Sequence, residues 1–201
     1  MHYAIQGRKP ECVKELLSYK GINVNLPVAR EFNDCLLPLH LAIENDCPEC
    51  VKLLLSHESI DVNAPLPDGV WQGYTPLHFA LNEGRIECLK VLLTHKDINV
   101  NSLTPTNVAD KCLTPLHIAA WMSQPECVRL LLAVPNINVN AQNEKGDTPL
   151  HKAAEAGRVE IVKALLAHKD IDVTVKNKKG ETPFRLATYM DMFYGGKKES
   201  D

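Results

Sequence analysis

Residues 114 to 120 read T-P-L-H-I-A-A, and this segment decides the fold because it recurs. T-P-L-H-F-A-L stands at 75 to 81, T-P-L-H-K-A-A at 148 to 154 and L-P-L-H-L-A-I at 37 to 43. M-H-Y-A-I at 1 to 5 is a truncated first copy, and T-P-F-R-L-A-T at 182 to 188 a degenerate last one. Threonine before proline suits a helix N-cap followed by proline at the first helical position. Each copy leads into a second shared segment, such as P-E-C-V-K-L-L-L at 48 to 55 or P-E-C-V-R-L-L-L at 125 to 132. Pro and Glu in a first turn, with apolar residues at helical spacing, mark another helix. A third segment, I-N-V-N, I-D-V-N or I-D-V-T, closes the unit. Neither helix is long enough to stand alone, so each unit must bury its apolar stripe against its neighbours.

This pattern resembles the ankyrin repeat over almost the whole chain, from Met1 to about Tyr194. The resemblance implies an all-α, ankyrin-repeat solenoid of about five to six helix-turn-helix units. It further implies turns that project as fingers, and partner proteins that bind at the fingertips and the concave face of the first helices. The expected repeats are roughly 1–25, 26–63, 64–101, 102–140, 141–174 and 175–194, with a disordered tail at 195–201. The first copy lacks its finger, so a longer native chain is expected.

The chain departs from the family pattern in two ways. The histidines at 2, 40, 78, 117 and 151 are spaced by 38, 38, 39 and 34 residues, against an ordinary period of about 33. One extra residue lies after each second helix, where L-L-S-H-E-S-I-D-V-N (54 to 63) lacks the usual glycine. That leaves the geometry of the helix end open. The remaining excess lies in the fingers. Asn140 to Thr148 is 8 positions, Asn25 to Leu37 and Asn63 to Thr75 are 12 each, and Asn101 to Thr114 is 13. Tolerated surface insertion is one reading, since loop length costs little stability. Three adjacent insertions of similar size favour a widened binding edge.

Composition excludes several function classes. A net charge of -3 argues against whole-molecule steering to nucleic acid or anionic membrane. No apolar run approaches the roughly 18 residues of a membrane span. The N-terminal M-H-Y-A-I-Q-G-R-K-P has no signal-peptide core, and seven cysteines suit a reducing compartment. The cytosol is the expected location.

Catalytic chemistry finds little support. All eight histidines occupy repeat positions, and the resemblance implies that the five of the L-H pair make scaffold hydrogen bonds rather than a metal site or a catalytic base. Cys12, Cys50, Cys88 and Cys127 share one position with Ile161, so they read as small buried hydrophobes. Cys47 and Cys50 form C-P-E-C, but neither a second C-x-x-C nor a βαβ pattern accompanies them. Cys35 and Cys112 fall in long fingers and are expected to be exposed thiols. Lys14, Lys52, Lys90, Arg129 and Lys163 each follow a glutamate by three residues, which gives a solvated, self-neutralised face. Asn25, Asn63, Asn101 and Asn140 are expected to hydrogen-bond within their turns. No catalytic residue, cofactor or metal is expected, and the chain is not expected to be an enzyme.

The candidate binding residues come from aligning the first helices. After the L-H core, two outward positions hold Gln6 and Gly7, Glu44 and Asn45, Asn82 and Glu83, Trp121 and Met122, Glu155 and Ala156, then Tyr189 and Met190. Tyr189 and Met190, in the terminal copy, suit capping of a stack end. Trp121 and Met122 have no such role, although a tryptophan lying flat over a neighbouring helix would serve the core. Trp71 and Phe32 sit in long fingers. The expected interaction surface is Phe32, Trp71, Trp121 and Met122, ringed by Arg30, Glu31, Glu44, Asp68, Asn82 and Glu83. Aromatics ringed by polar groups are typical of interface hot spots. The expected role is that of an adaptor binding a loop or helix of a partner protein, as a monomer, without nucleic acid or membrane. The repeat style is similar to that of ankyrin effectors of intracellular bacteria, which implies a host-protein target. The alternative is a substrate-recognition fragment of a larger enzyme.

Overall fold

The computed structural model describes residues 1–29, 35–105 and 112–187. The chain divides into two compact units, residues 1–105 and 106–201. The division falls inside the third long finger.

In the first unit, helices alternate between the two shared segments. The first-segment helices are α1 (His2–Gln6), α3 (Pro38–Glu44) and α5 (Pro76–Asn82). The second-segment helices are α2 (Pro10–Leu17), α4 (Pro48–Leu55) and α6 (Ile86–Leu92). The second unit repeats the scheme with α7 (Pro115–Trp121), α8 (Pro125–Leu132), α9 (Pro149–Glu155) and α10 (Val159–Leu166), and residues 183–187 are helical again. None of these named helices exceeds eight residues, too short for stability in isolation. They persist by packing. Leu39, Ala42, Leu77, Ala80, Leu116, Ala119, Leu150 and Ala153 are buried from the first helices. Val51, Leu54, Leu89, Leu92, Val128, Leu131, Ile161 and Leu165 are buried from the second.

The repeated threonine and histidine form one device. In α5, α7 and α9 the threonine hydroxyl meets the histidine Nδ1 at 2.9, 2.7 and 2.8 Å. The same hydroxyl accepts the histidine backbone N–H, closing a capping box. The opposite nitrogen, Nε2, donates to a carbonyl of the following finger. His40 reaches Tyr74 O at 3.0 Å, His117 reaches Asp147 O at 2.9 Å and His151 reaches Glu181 O at 3.0 Å. Each of these contacts places a proton on Nε2. Leu37 stands where the threonine should be, and His40 Nδ1 is buried without a hydrogen-bond partner.

The closing segments form a second ladder. Asn63 donates to Asp97 O at 2.7 Å and accepts from the N–H of Asn99 at 2.8 Å. Asn25 spans to Ser59 O and the N–H of Asp61, and Asn140 to Asp170 O and the N–H of Asp172, in the same way. These asparagines tie consecutive repeats together, whereas the sequence suggested hydrogen bonds within one turn. The local turn belongs instead to the residue two places earlier. Asp61 accepts the N–H of Asn63, and Asn138 that of Asn140.

The missing glycine also has an explanation. The second helices end on right-handed residues such as Ser56 and Ala167. His57, His95 and His168 each use Nδ1 to accept an N–H two residues onward, at 3.2 Å. The extra residue thus makes a histidine-closed turn in place of a left-handed glycine cap.

Candidate protein-binding surface

The fingers show what the inserted residues build. An ordinary finger is seen at 143–147, where Asn143 N–H donates to Asp147 O and Gly146 N–H to Asn143 O. The long finger at 66–74 keeps the same frame. Leu66 N–H donates to Tyr74 O, and Gly73 N–H to Leu66 O. Four extra residues are held between those two closing bonds, and they include Asp68, Val70 and Trp71. The first long finger is a hairpin of two short antiparallel strands, β1 (Val28–Ala29) and β2 (Cys35–Leu36), with Val28 opposite Leu36. This small sheet is confined to the finger and leaves the helical repeats as expected. Leu66 and Thr104 are buried within finger segments. A β-carbon on Gly73 (φ +78°) would lie 1.9 Å from the Pro105 ring. Neighbouring long fingers in the first unit therefore pack on each other.

In the first unit Trp71 is half-buried. Its ring lies 5.3 Å from Tyr74, which in turn lies 5.7 Å from the buried His78. Asp68 is half-buried, and its Oδ1 has no hydrogen-bond partner. Glu44 and Asn82 end their helices and are half-buried, with Asn82 Nδ2 donating to Glu83 Oε1 at 3.2 Å. Arg30, Glu31 and Phe32 lie outside the described residues, as do Tyr189 and Met190. Sequence reasoning passed over three aliphatic side chains in the fingers. Leu26, Val70 and Leu103 are all exposed, one on each long finger, and only their place in an insertion signalled it.

In the second unit Trp121 closes α7 at 44% exposure, and Met122 caps it at 41%. Trp121 is neither core nor free. Lys152 Nζ sits 4.6 Å from the centre of its ring, and Lys152 is only 4% exposed. That ammonium also meets Glu155 at 3.0 Å. A buried ammonium needs such partners, so one face of Trp121 shields Lys152 while much of the ring remains in solvent.

The titratable groups do not resemble a reactive centre. Burial pushes His40 down to about 3 and His117 down to about 4, partly offset by their carbonyl partners. Burial also pushes the Cys50 and Cys88 thiols up to about 12, the opposite of what a nucleophile requires. Cys50, Cys88 and Cys127 are buried as expected. Cys12 is exposed and Cys35 and Cys112 are half-buried, contrary to expectation. Cys35 pairs through its backbone with Ala29 in the first long finger. The lysine–glutamate pairing holds at Lys90–Glu87, Arg129–Glu126 and Lys163–Glu160, all on exposed faces. Among the described residues no cluster of His, Cys, Asp and Glu could hold a metal. No helix there is long and apolar enough to cross a membrane.

Comparison with known proteins agrees with this architecture. The family model for ankyrin repeats (3 copies) matches residues 1–104, 39–143 and 116–194, so the chain belongs to the ankyrin repeat family. Among solved structures it is similar to the ankyrin repeat domain of Bcl-3, described as a unique member of the IkappaB protein family. The identity is 26%, the TM-score 0.76, and the match covers 92% of this chain and 76% of that one. No curated protein sequence matches the chain. Ankyrin repeats are in general protein–protein interaction modules, typically without catalysis.

Proposed function

We propose that the chain is an adaptor that binds a loop or helix of a partner protein through its long fingers and the ends of its first helices. The observation that carries this reading is the pair Trp121 and Met122. Two large apolar side chains stand 44% and 41% exposed at positions that are polar or small in the preceding copies. Val70 and Trp71 on the packed finger of the first unit support it, since rigid loops commonly carry recognition. Glu44, Asp68, Asn82 and Glu83 supply polar surroundings, and Arg30, Glu31 and Phe32 belong to the same proposed set. The repeat style supports the version in which a delivered effector engages a host protein in the host cytosol.

Affinity capture tests the reading, with wild type and the Trp71→Ala and Trp121→Ala variants compared after thermal melts. A partner held by wild type and weakened by the equivalent of about 2 kcal/mol in a variant of unchanged melting point supports it. Equal capture by both variants refutes these surfaces. A markedly earlier melt for Trp121→Ala assigns that ring to the scaffold instead.

A further inference from the structure

The second helices share one residue pattern, with a single exception at their N-caps. That position holds Lys9, Arg85, Gln124 and Arg158 in four copies and Cys47 in α4. Three residues on, cysteine is the common residue of the repeat, here Cys50. Only in α4 do two thiols therefore meet. An N-cap side chain folds back over the third helical residue, as it does in a capping box. The sulfurs of Cys47 and Cys50 stand 2.7 Å apart, closer than ordinary non-bonded sulfurs. Both residues are nearly sealed, at 3% and 0% exposure. Cys88 packs nearby, with its sulfur 3.9 Å from Asp46.

We propose that Cys47 and Cys50 form a reversible disulfide, making the first turn of α4 a redox-modifiable site. The oxidant is a low-molecular-weight disulfide such as glutathione disulfide. One protein thiolate attacks a glutathione sulfur and expels glutathione thiolate. The second protein thiol loses its proton to solvent and attacks that mixed disulfide at the protein sulfur, releasing the second glutathione. Two protein thiols give up two electrons and two protons, and glutathione disulfide becomes two glutathiones. Access is the gate. Burial, and then the neighbouring Cys47, raise the Cys50 thiol, so the thiolate is scarce until α4 opens or the pH rises. The adjacent sulfurs then favour ring closure over a lasting mixed disulfide.

The test is oxidation of the whole chain by glutathione disulfide at pH 7 and pH 9, with and without sub-denaturing urea. Free thiols are alkylated after unfolding, and peptides are weighed. The expected product carries the mass loss of two hydrogens on the peptide holding Cys47 and Cys50, with no alkyl group there. Cys88 and Cys127 remain alkylated, and helical circular dichroism is retained. Formation accelerates with pH and with urea, and dithiothreitol restores both thiols. Cys47→Ser puts a favourable N-cap residue there and abolishes the product, as does Cys50→Val. Cys88→Ser keeps it. Full alkylation of Cys47 and Cys50 under every condition overturns the proposal. So does a bridge to Cys88 or Cys12 in their place, or a bridge that appears only with loss of helical signal.

Discussion

At the scale of single residues, the threonine–histidine pair does more than begin a helix. The hydroxyl gives its proton to Nδ1 and accepts the histidine N–H, while Nε2–H reaches the next finger. One side chain thus caps its own helix and ties down its neighbour. Replacing Thr114 by valine keeps the shape and removes the hydroxyl. Stability should fall by about 1 to 2 kcal/mol, read from the urea midpoint at unchanged slope. The histidines also make stability depend on pH. His40 and His117 sit at about 3 and about 4 when folded, against about 6.5 when unfolded. The unfolded chain therefore binds protons that the folded chain refuses. Their contribution is complete above about pH 6.5 and is lost as pH falls toward the folded values. At pH 5 each should cost roughly 2 kcal/mol relative to pH 7. A melting temperature that stays level between pH 7 and pH 5 would refute this, since carboxylates titrate mostly lower. His40 lacks a hydroxyl partner because Leu37 replaces threonine, and the sequence alone made that visible.

At the scale of elements, the fingers decide the character of this chain. Their extra length was plain from the Asn-to-Thr spacing. Their order was not, because an inserted loop carries no periodicity. The Leu66–Tyr74 frame and the Val28–Leu36 pairing close each finger on itself, and the Gly73–Pro105 approach joins one finger to the next. Gly73 is the sharpest point. A methyl group there meets both a positive φ and the Pro105 ring. Gly73→Ala should destabilise by about 2 kcal/mol or more, seen as an earlier melt. A neutral result would show that the two fingers do not pack in solution. The histidine-closed turns are a similar case. His57, His95 and His168 recur at one position of the sequence, yet the N–H each accepts became visible only in three dimensions.

At the scale of the whole molecule, stability is a sum of units and nearest-neighbour contacts. Two compact units, with a boundary in the third long finger, make local damage stay local. In Gly73→Ala, amide exchange should quicken among residues 64–105, while α9 and α10 keep their protection. Equal acceleration at both ends would mean the chain unfolds as one block.

The sequence by itself determined the repeat, the helix pairs, the buried faces and the excess length of three fingers. Periodic packing leaves a periodic trace, since every unit must meet the same neighbour with the same atoms. It also singled out Trp121 and Met122, as apolar residues at positions otherwise mostly polar or small. Only the tertiary structure decided what Trp121 does. Its ring covers the ammonium of Lys152 from the next first helix, 31 positions along the chain. It likewise decided that the turn asparagines bridge repeats and that Cys47 meets Cys50 in a sealed pocket. Contacts of this kind follow from which helix lies beside which and how deeply each side chain is covered. Neither quantity is written in the local order of residues.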